Sequence, residues 1–156
     1  MKAARGALKV LFLCTGNSAR SIFGEYLLRR DGGERFEVHS AGAFPTGKVN
    51  PFAIRVLKDV YGIDASAARS KSFEEYNGIE FDFVITVCDN ARESCRVWPG
   101  QPTVLHWSLP DPALAQGTDE QIYETFEQVA REIQRRIAAF ISEANGSVMY
   151  LDRPSG

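Results

Sequence analysis

The stretch that most constrains this chain is Leu8-Lys9-Val10-Leu11-Phe12-Leu13 running directly into Cys14-Thr15-Gly16-Asn17-Ser18-Ala19-Arg20-Ser21. A short, nearly continuous apolar run bounded by small polar residues predicts a strand buried on both faces. Beyond the loop, Ile22, Phe23, Tyr26 and Leu27 fall at helical spacing until Gly32-Gly33 stops the pattern. Gly24 sits inside that helix, where glycine is unfavourable, and predicts a close packing contact. A buried strand, a tight polar loop and a helix start, in that order, point to an α/β architecture with a parallel sheet.

The remaining sequence continues the alternation. Phe36-Glu37-Val38-His39-Ser40-Ala41 alternates like a strand, and Asn50-Pro51 opens a helix through Ile54, Leu57 and Tyr61 that Gly62 closes. Phe81–Val87 and Thr103–Trp107 read as the third and fourth strands. Ser72-Phe73-Glu74-Glu75 and Thr118-Asp119-Glu120-Gln121 are capping boxes. The second opens the longest helix, whose Ile122, Phe126, Val129, Ile133, Ile137, Phe140 and Ile141 share one face. One domain spanning residues 1–156 is expected, with a core over about 8–144 and mobile tails at 1–7 and 145–156.

Composition narrows the function. Eighteen basic against 20 acidic residues leave a net charge of −2 with no long run of either sign, so there is no electrostatic footprint for nucleic acid or an anionic membrane. No apolar stretch approaches the roughly 18 residues of a membrane span. The charged start, Met1–Ala7, leads into an apolar run too short for a signal-peptide core. The expectation is a cytoplasmic monomer. Its three cysteines, Cys14, Cys88 and Cys95, are too few and too odd in number for a secreted disulfide framework. In a reducing compartment they are either buried core residues or a catalytic and redox set. His39 and His106 read as strand residues, no metal-like His/Cys spacing occurs, and neither metal nor cofactor is expected.

Right-handed crossovers place the C-terminal ends of parallel strands along one edge, where α/β proteins bind ligands. The Cys14 loop, Cys88 and the stretch after Trp107 all fall at such ends. A lone cysteine ending a strand is most simply a buried one. The spacing Cys14-x5-Arg20-Ser21 before a helix adds chemistry. Backbone N–H groups of Thr15, Gly16, Asn17, Ser18, Ala19 and Arg20 turned inward, next to a helix N-terminus, would cradle an oxyanion. Arg20 offers a planar fork for two oxygens of a tetrahedral anion. Cys14 at the floor of such a cradle would be a low-pKa thiolate and a nucleophile. Asn17 and Ser21 are placed to hydrogen-bond the loop and the sulfur. No GxxxxGK[ST] pattern occurs, so this is not a nucleotide loop.

Val10 to Ser21 resembles the active-site loop of the low-molecular-weight protein tyrosine phosphatase superfamily, and Cys14-Thr15-Gly16-Asn17-Ser18 is most similar to its arsenate reductase branch. The similarity continues through Ser40-Ala41-Gly42, Asn50-Pro51, Ser70-Lys71-Ser72, Val84–Cys88, Cys95 with Trp98-Pro99, and His106-Trp107 before Asp111-Pro112, over about residues 8–143. It implies a three-layer αβα fold with a four-stranded parallel sheet in the order 2-1-3-4 and helices on both faces. It also implies a general acid at Asp111, stiffly presented between Pro110 and Pro112.

A phosphatase needs one cysteine, whereas reducing arsenate takes two electrons and a second thiol. The resemblance implies that Cys14 attacks arsenic, Cys88 captures Cys14 as a disulfide, and Cys95 then frees Cys14, with thioredoxin re-reducing the Cys88–Cys95 pair. Related enzymes use glutathione and glutaredoxin with differently placed cysteines, so the 88/95 spacing favours thioredoxin. Were residues 89–95 helical, the two thiols would stand two turns, about 10 Å, apart. Disulfides need Cα separations of roughly 4.4–6.8 Å, so the segment is expected to unwind on oxidation.

Three departures from the family pattern matter. Ala19 replaces a second cysteine that many such loops carry. Ala113-Leu114-Ala115 follows Asp111-Pro112 where the phosphatase branch has tyrosines. Some thioredoxin-coupled relatives bind potassium through an asparagine, a glutamate, a serine and an aspartate; Asn17, Glu25 and Ser40 match, but Lys71 replaces the aspartate. A built-in ammonium predicts activity indifferent to potassium. The rival readings are a phosphomonoesterase of the same fold and a non-catalytic anion-binding or redox-sensing module.

Overall fold

The computed structural model describes residues 6–87 and 100–152. Cys88, Cys95, the segment expected to unwind and Trp98-Pro99 lie outside the described residues. In chain order the elements are β1 (Leu8–Cys14), α1 (Arg20–Gly32), β2 (Phe36–Gly42), α2 (Pro51–Tyr61), β3 (Phe83–Thr86), β4 (Thr103–His106) and α3 (Asp119–Asp152). The strands form one parallel sheet in the order β2-β1-β3-β4, as the resemblance implies.

β1 holds the centre because its sequence tolerates water on neither side. Val10 to Leu13 and Cys14 are at most 2% exposed. Side chains alternate across a strand, so Phe12 and Cys14 share one face while Leu11 and Leu13 share the other. On the first face Phe12 lies under α1 and meets Trp107, whose ring in turn packs on Phe140 of α3. On the second face His39, the register partner of Leu11, packs with Tyr76 and Phe81. Each large apolar side chain buried in this way contributes on the order of 2 kcal/mol.

Gly24 of α1 explains itself against Phe12. A Cβ there would lie 2.5 Å from the Phe12 ring, so glycine lets the helix settle directly on β1. The helix boundaries follow the sequence signals. Asn50 Oδ1 accepts from the Phe52 N–H, Pro51 opens α2, and Gly62 closes it with a left-handed φ of 68°. Thr118 and Gln121 exchange the two hydrogen bonds of a capping box at the start of α3. Ser72 caps only one turn of 3-10 helix, Phe73–Tyr76. The sequence places a tail from Asn145 onward, yet the backbone of α3 continues helically to Asp152. Extending an existing helix needs no further apolar contact, because nucleation is already complete. Among the described residues no helix is long and apolar enough to cross a membrane.

Candidate active site

β1 delivers Cys14 to the C-terminal edge of the sheet, and α1 begins six residues later at Arg20. The intervening loop is gripped by its carbonyl side. The carbonyls of Cys14, Thr15, Gly16 and Ser18 accept from the N–H groups of Ala43, Phe44, Thr46 and Asn50 respectively, at 2.8–3.1 Å. Ser70 Oγ donates a further bond to the Gly16 carbonyl. With the carbonyls turned toward residues 43–50, the opposite side of the loop presents its N–H groups. Among the described residues, the backbone N–H groups of Gly16, Ser18, Ala19 and Arg20 bond to no protein acceptor. Four amides without protein acceptors, next to the start of α1, are the donors that an oxyanion at this loop would use.

Gly42 makes that grip possible. It ends β2 beside Cys14, and a Cβ there would stand 2.6 Å from the Thr15 carbonyl oxygen and 3.0 Å from the Asn17 nitrogen. Asn17 is the pivot of the loop, fully buried with φ of 49°, a conformation that asparagine tolerates better than most residues.

A donor, the Asn17 N–H, and a hydroxyl able to donate, that of Ser21, face the Cys14 sulfur. The Asn17 N–H lies 3.2 Å from Sγ and the Ser21 hydroxyl 2.9 Å from it. Asn17 Nδ2 donates to Ser21 Oγ at 2.7 Å, which occupies a lone pair of that oxygen and leaves its hydrogen for the sulfur. Both bonds stabilise a thiolate over a thiol.

Arg20 is held across the mouth. Its Nη1 donates to the Leu109 carbonyl at 3.0 Å, its Nη2 is 3.6 Å from Asp111 Oδ2, and its side chain is 11% exposed. Asp111 caps the turn Pro112–Leu114, Oδ1 accepting from the Ala113 N–H at 3.0 Å. The structure therefore wraps Thr15, Gly16, Asn17, Ser18, Ala19, Arg20 and Ser21 around Cys14 and brings Asp111 against Arg20. The chain also reaches the site from β3, where the Val87 N–H bonds to the Leu13 carbonyl at 3.0 Å. Cys88 follows immediately, outside the described residues.

Behind the loop lies a buried polar cluster. Lys71 Nζ lies 3.1 Å from Ser40 Oγ, 3.0 Å from the Arg69 carbonyl, 3.5 Å from Asn17 Oδ1 and 3.6 Å from Glu25 Oε1. Ser40 in turn donates to Glu25 at 2.5 Å, and Arg29 pairs with the other oxygen of that carboxylate. Burial pulls the Lys71 pKa below the usual lysine range, against the opposing pull of Glu25. The three matched potassium ligands of the family pattern thus already surround a cation supplied by the chain. This donor set does not fit a metal ion as well.

Sequence reasoning did not reach the grip by residues 43–50 or the Leu109 carbonyl that steadies Arg20. The first had one legible signal, the small run Ser40-Ala41-Gly42, and the second had none, because a carbonyl acceptor carries no side-chain identity.

A parallel 2-1-3-4 sheet with a Cys-x5-Arg amide cradle at the end of its central strand defines a class. The chain belongs to the low molecular weight phosphotyrosine protein phosphatase family, whose model matches residues 9–148. Within that class it is similar to arsenate reductases. It is 38% identical over 131 residues to arsenate reductase of Halalkalibacterium halodurans, covering 84% of this chain and 93% of that protein. A solved arsenate reductase in the oxidized state matches with TM-score 0.73 and 29% identity, covering 86% of this chain and 97% of that one. The Corynebacterium glutamicum thioredoxin-dependent arsenate reductase matches with TM-score 0.61 and 28% identity, covering 87% of this chain and 64% of that one.

Proposed function

We propose that this protein is an arsenate reductase that works through a thiol relay and is recharged by thioredoxin. The observation that carries the reading is the Cys14 sulfur held by the Asn17 N–H and the Ser21 hydroxyl, at the floor of an amide cradle closed by Arg20. The naming of similar proteins as arsenate reductases supports the choice of oxyanion.

Arsenate settles against the loop amides and the Arg20 fork. The Cys14 thiolate attacks arsenic, a sulfur–arsenic bond forms, and one oxygen leaves as water with the proton given by Asp111. The Cys88 thiolate then attacks the Cys14 sulfur. The sulfur–arsenic electron pair passes to arsenic, which departs as arsenite, two electrons richer, and leaves a Cys14–Cys88 disulfide. Cys95 attacks Cys88, Cys14 is expelled as a thiolate, and an external dithiol protein reduces the Cys88–Cys95 bond. A low-pKa leaving sulfur favours that exchange. The protein's two-cysteine extension beyond Cys14, with a thioredoxin-dependent reductase among its structural neighbours, supports thioredoxin over glutaredoxin or glutathione.

A phosphomonoesterase would use the same Cys14, Arg20 and Asp111, and the family description keeps that reading in view. Cys88→Ser separates the two. Arsenite release should cease, the variant stalling after one Cys14–arsenic adduct, with phosphate-ester hydrolysis unaffected; sustained arsenite turnover by the variant would refute the relay. Running the assay with thioredoxin and with glutaredoxin separately identifies the reductant. Amide exchange over residues 88–98 in reduced and oxidised protein tests the unwinding, which equal protection in both states would exclude. Potassium and sodium salts at equal ionic strength should support equal rates, because Lys71 already supplies the cation; severalfold activation by potassium would contradict this.

A further inference from the structure

Lys71 is a buried, titratable group that no step above uses, yet three hydrogen bonds, through Asn17 and Ser21, link it to the reacting sulfur. Among the described residues its nitrogen has four oxygen partners: Ser40 Oγ, the Arg69 carbonyl, Asn17 Oδ1 and Glu25 Oε1. Acceptors on every side suit an ammonium, whereas a neutral amine would leave its lone pair facing oxygen.

The bonds have a direction. Lys71 gives Asn17 Oδ1 two donors, its own backbone N–H at 2.8 Å and Nζ at 3.5 Å, which fixes the amide with Nδ2 toward the serines. Nδ2 then donates to Ser21 Oγ and to Ser40 Oγ. Ser40 already accepts from Nζ and passes its own hydrogen to Glu25. Ser21, as an acceptor from Asn17, has its hydrogen left for Cys14. Every member of the chain is at most 7% exposed, so the charges act with little solvent screening.

We infer that Lys71 is a positioning residue for the nucleophile: its ammonium, balanced by Glu25, orients Asn17 and Ser21 and holds Cys14 as a thiolate. The two buried charges then act on the sulfur with opposite sign. The ammonium favours the thiolate, and the Glu25 carboxylate opposes it. Glu25, Tyr26, Arg29, His39, Arg69, Glu75 and Tyr76 are the other titratable or charged groups that face Lys71 among the described residues. Arg29 is engaged by Glu25 and the Val38 carbonyl, and Arg69 by Glu75, so neither is free to replace the ammonium. The inference rests on Cys14 being the nucleophile but not on the identity of the oxyanion.

The test is the pH dependence of Cys14 alkylation by iodoacetamide, followed by mass spectrometry of the Cys14 peptide so that the other thiols do not interfere. Lys71→Met should raise the apparent pKa of Cys14 by about one unit, and Glu25→Gln should lower it, because each variant removes one sign of charge. The double variant Lys71→Met/Glu25→Gln, which leaves no buried charge unpaired, should return near the parent value. A purely structural role would shift both single variants the same way or neither, and either result overturns the inference. Should Lys71→Met fail to fold, Lys71→Ala provides a second reading. Lys71 and Glu25 line a polar cleft of about 260 Å³, through which methylammonium could reach the vacated position. Methylammonium should then restore Cys14 alkylation at neutral pH severalfold while tetramethylammonium, which has no N–H to donate to Asn17 and Ser40, does not; equal rates with both would count against Lys71. Because alkylation needs no arsenate, these outcomes stand apart from whether arsenate is reduced.

Discussion

Arg20→Lys is expected to lower kcat for arsenate reduction by about 10²–10³-fold with little change in thermal stability. The guanidinium is aligned by the Leu109 carbonyl at 3.0 Å and by Asp111 at 3.6 Å, which turns its plane across the mouth of the loop. A planar fork can place two N–H donors on two oxygens of a tetrahedral anion at once, while an ammonium is a point charge on a flexible stem. Lysine keeps the charge and loses the geometry, so binding should suffer less than turnover. Stability should hold because the partners left behind, a loop carbonyl and a partly exposed carboxylate, can be hydrated. Steady-state kinetics beside a thermal melt of the same preparation checks both halves. A kcat within a few-fold of the parent would show that charge alone suffices.

Gly42→Ala should be the most damaging single-methyl change near the site. The added carbon would stand 2.6 Å from the Thr15 carbonyl oxygen, a backbone atom that cannot rotate away. Either the end of β2 or the loop must shift, and overpacking of this kind costs about 1–3 kcal/mol. For a chain of this size that corresponds to a drop in melting temperature of roughly 2–12 °C. Activity should fall further than stability, because the loop amides must stay within a few tenths of an ångström of the oxyanion they bind. Gly24→Ala offers the contrast. Its Cβ would strike the Phe12 ring at 2.5 Å, a stability problem set back from the cradle, so the melting temperature should drop with a smaller loss of turnover per folded molecule. Equal activity losses in the two variants, once corrected for the folded fraction, would break this distinction.

The sequence made the strands, the helix caps and the Cys14 loop readable because each is written in local chemistry. Leu8–Leu13 had to be a strand buried on both sides, and Asn50-Pro51 with Gly62 marked α2 to the residue. The polar pattern Cys14-x5-Arg20-Ser21 before a helix indicated an anion cradle without any knowledge of the sheet. Gly24 announced a close contact but could not name Phe12 as the partner. Other features were legible only through likeness to known proteins. Lys71 is one of these, since nothing local to Ser70-Lys71-Ser72 says that its nitrogen reaches Asn17, Glu25 and Ser40. Asp111 is another, being an ordinary turn aspartate until Arg20 is found beside it.

By itself, then, the order of residues determined which segments are strands, where helices begin and end, and which cysteine stands at the strand-to-helix loop. Those outcomes depend on hydrogen bonds and apolar spacing within a few residues of one another. Only the tertiary structure decided that residues 43–50 clamp the loop by its carbonyls, that Leu109 steadies Arg20, and that the buried Lys71 nitrogen stands behind the loop. Each of these joins residues from 29 to 89 positions apart, brought together by the parallel register of β1 with β2 and β3. Pairing distant strands fixes which backbone atoms meet across them, and no local pattern carries that information.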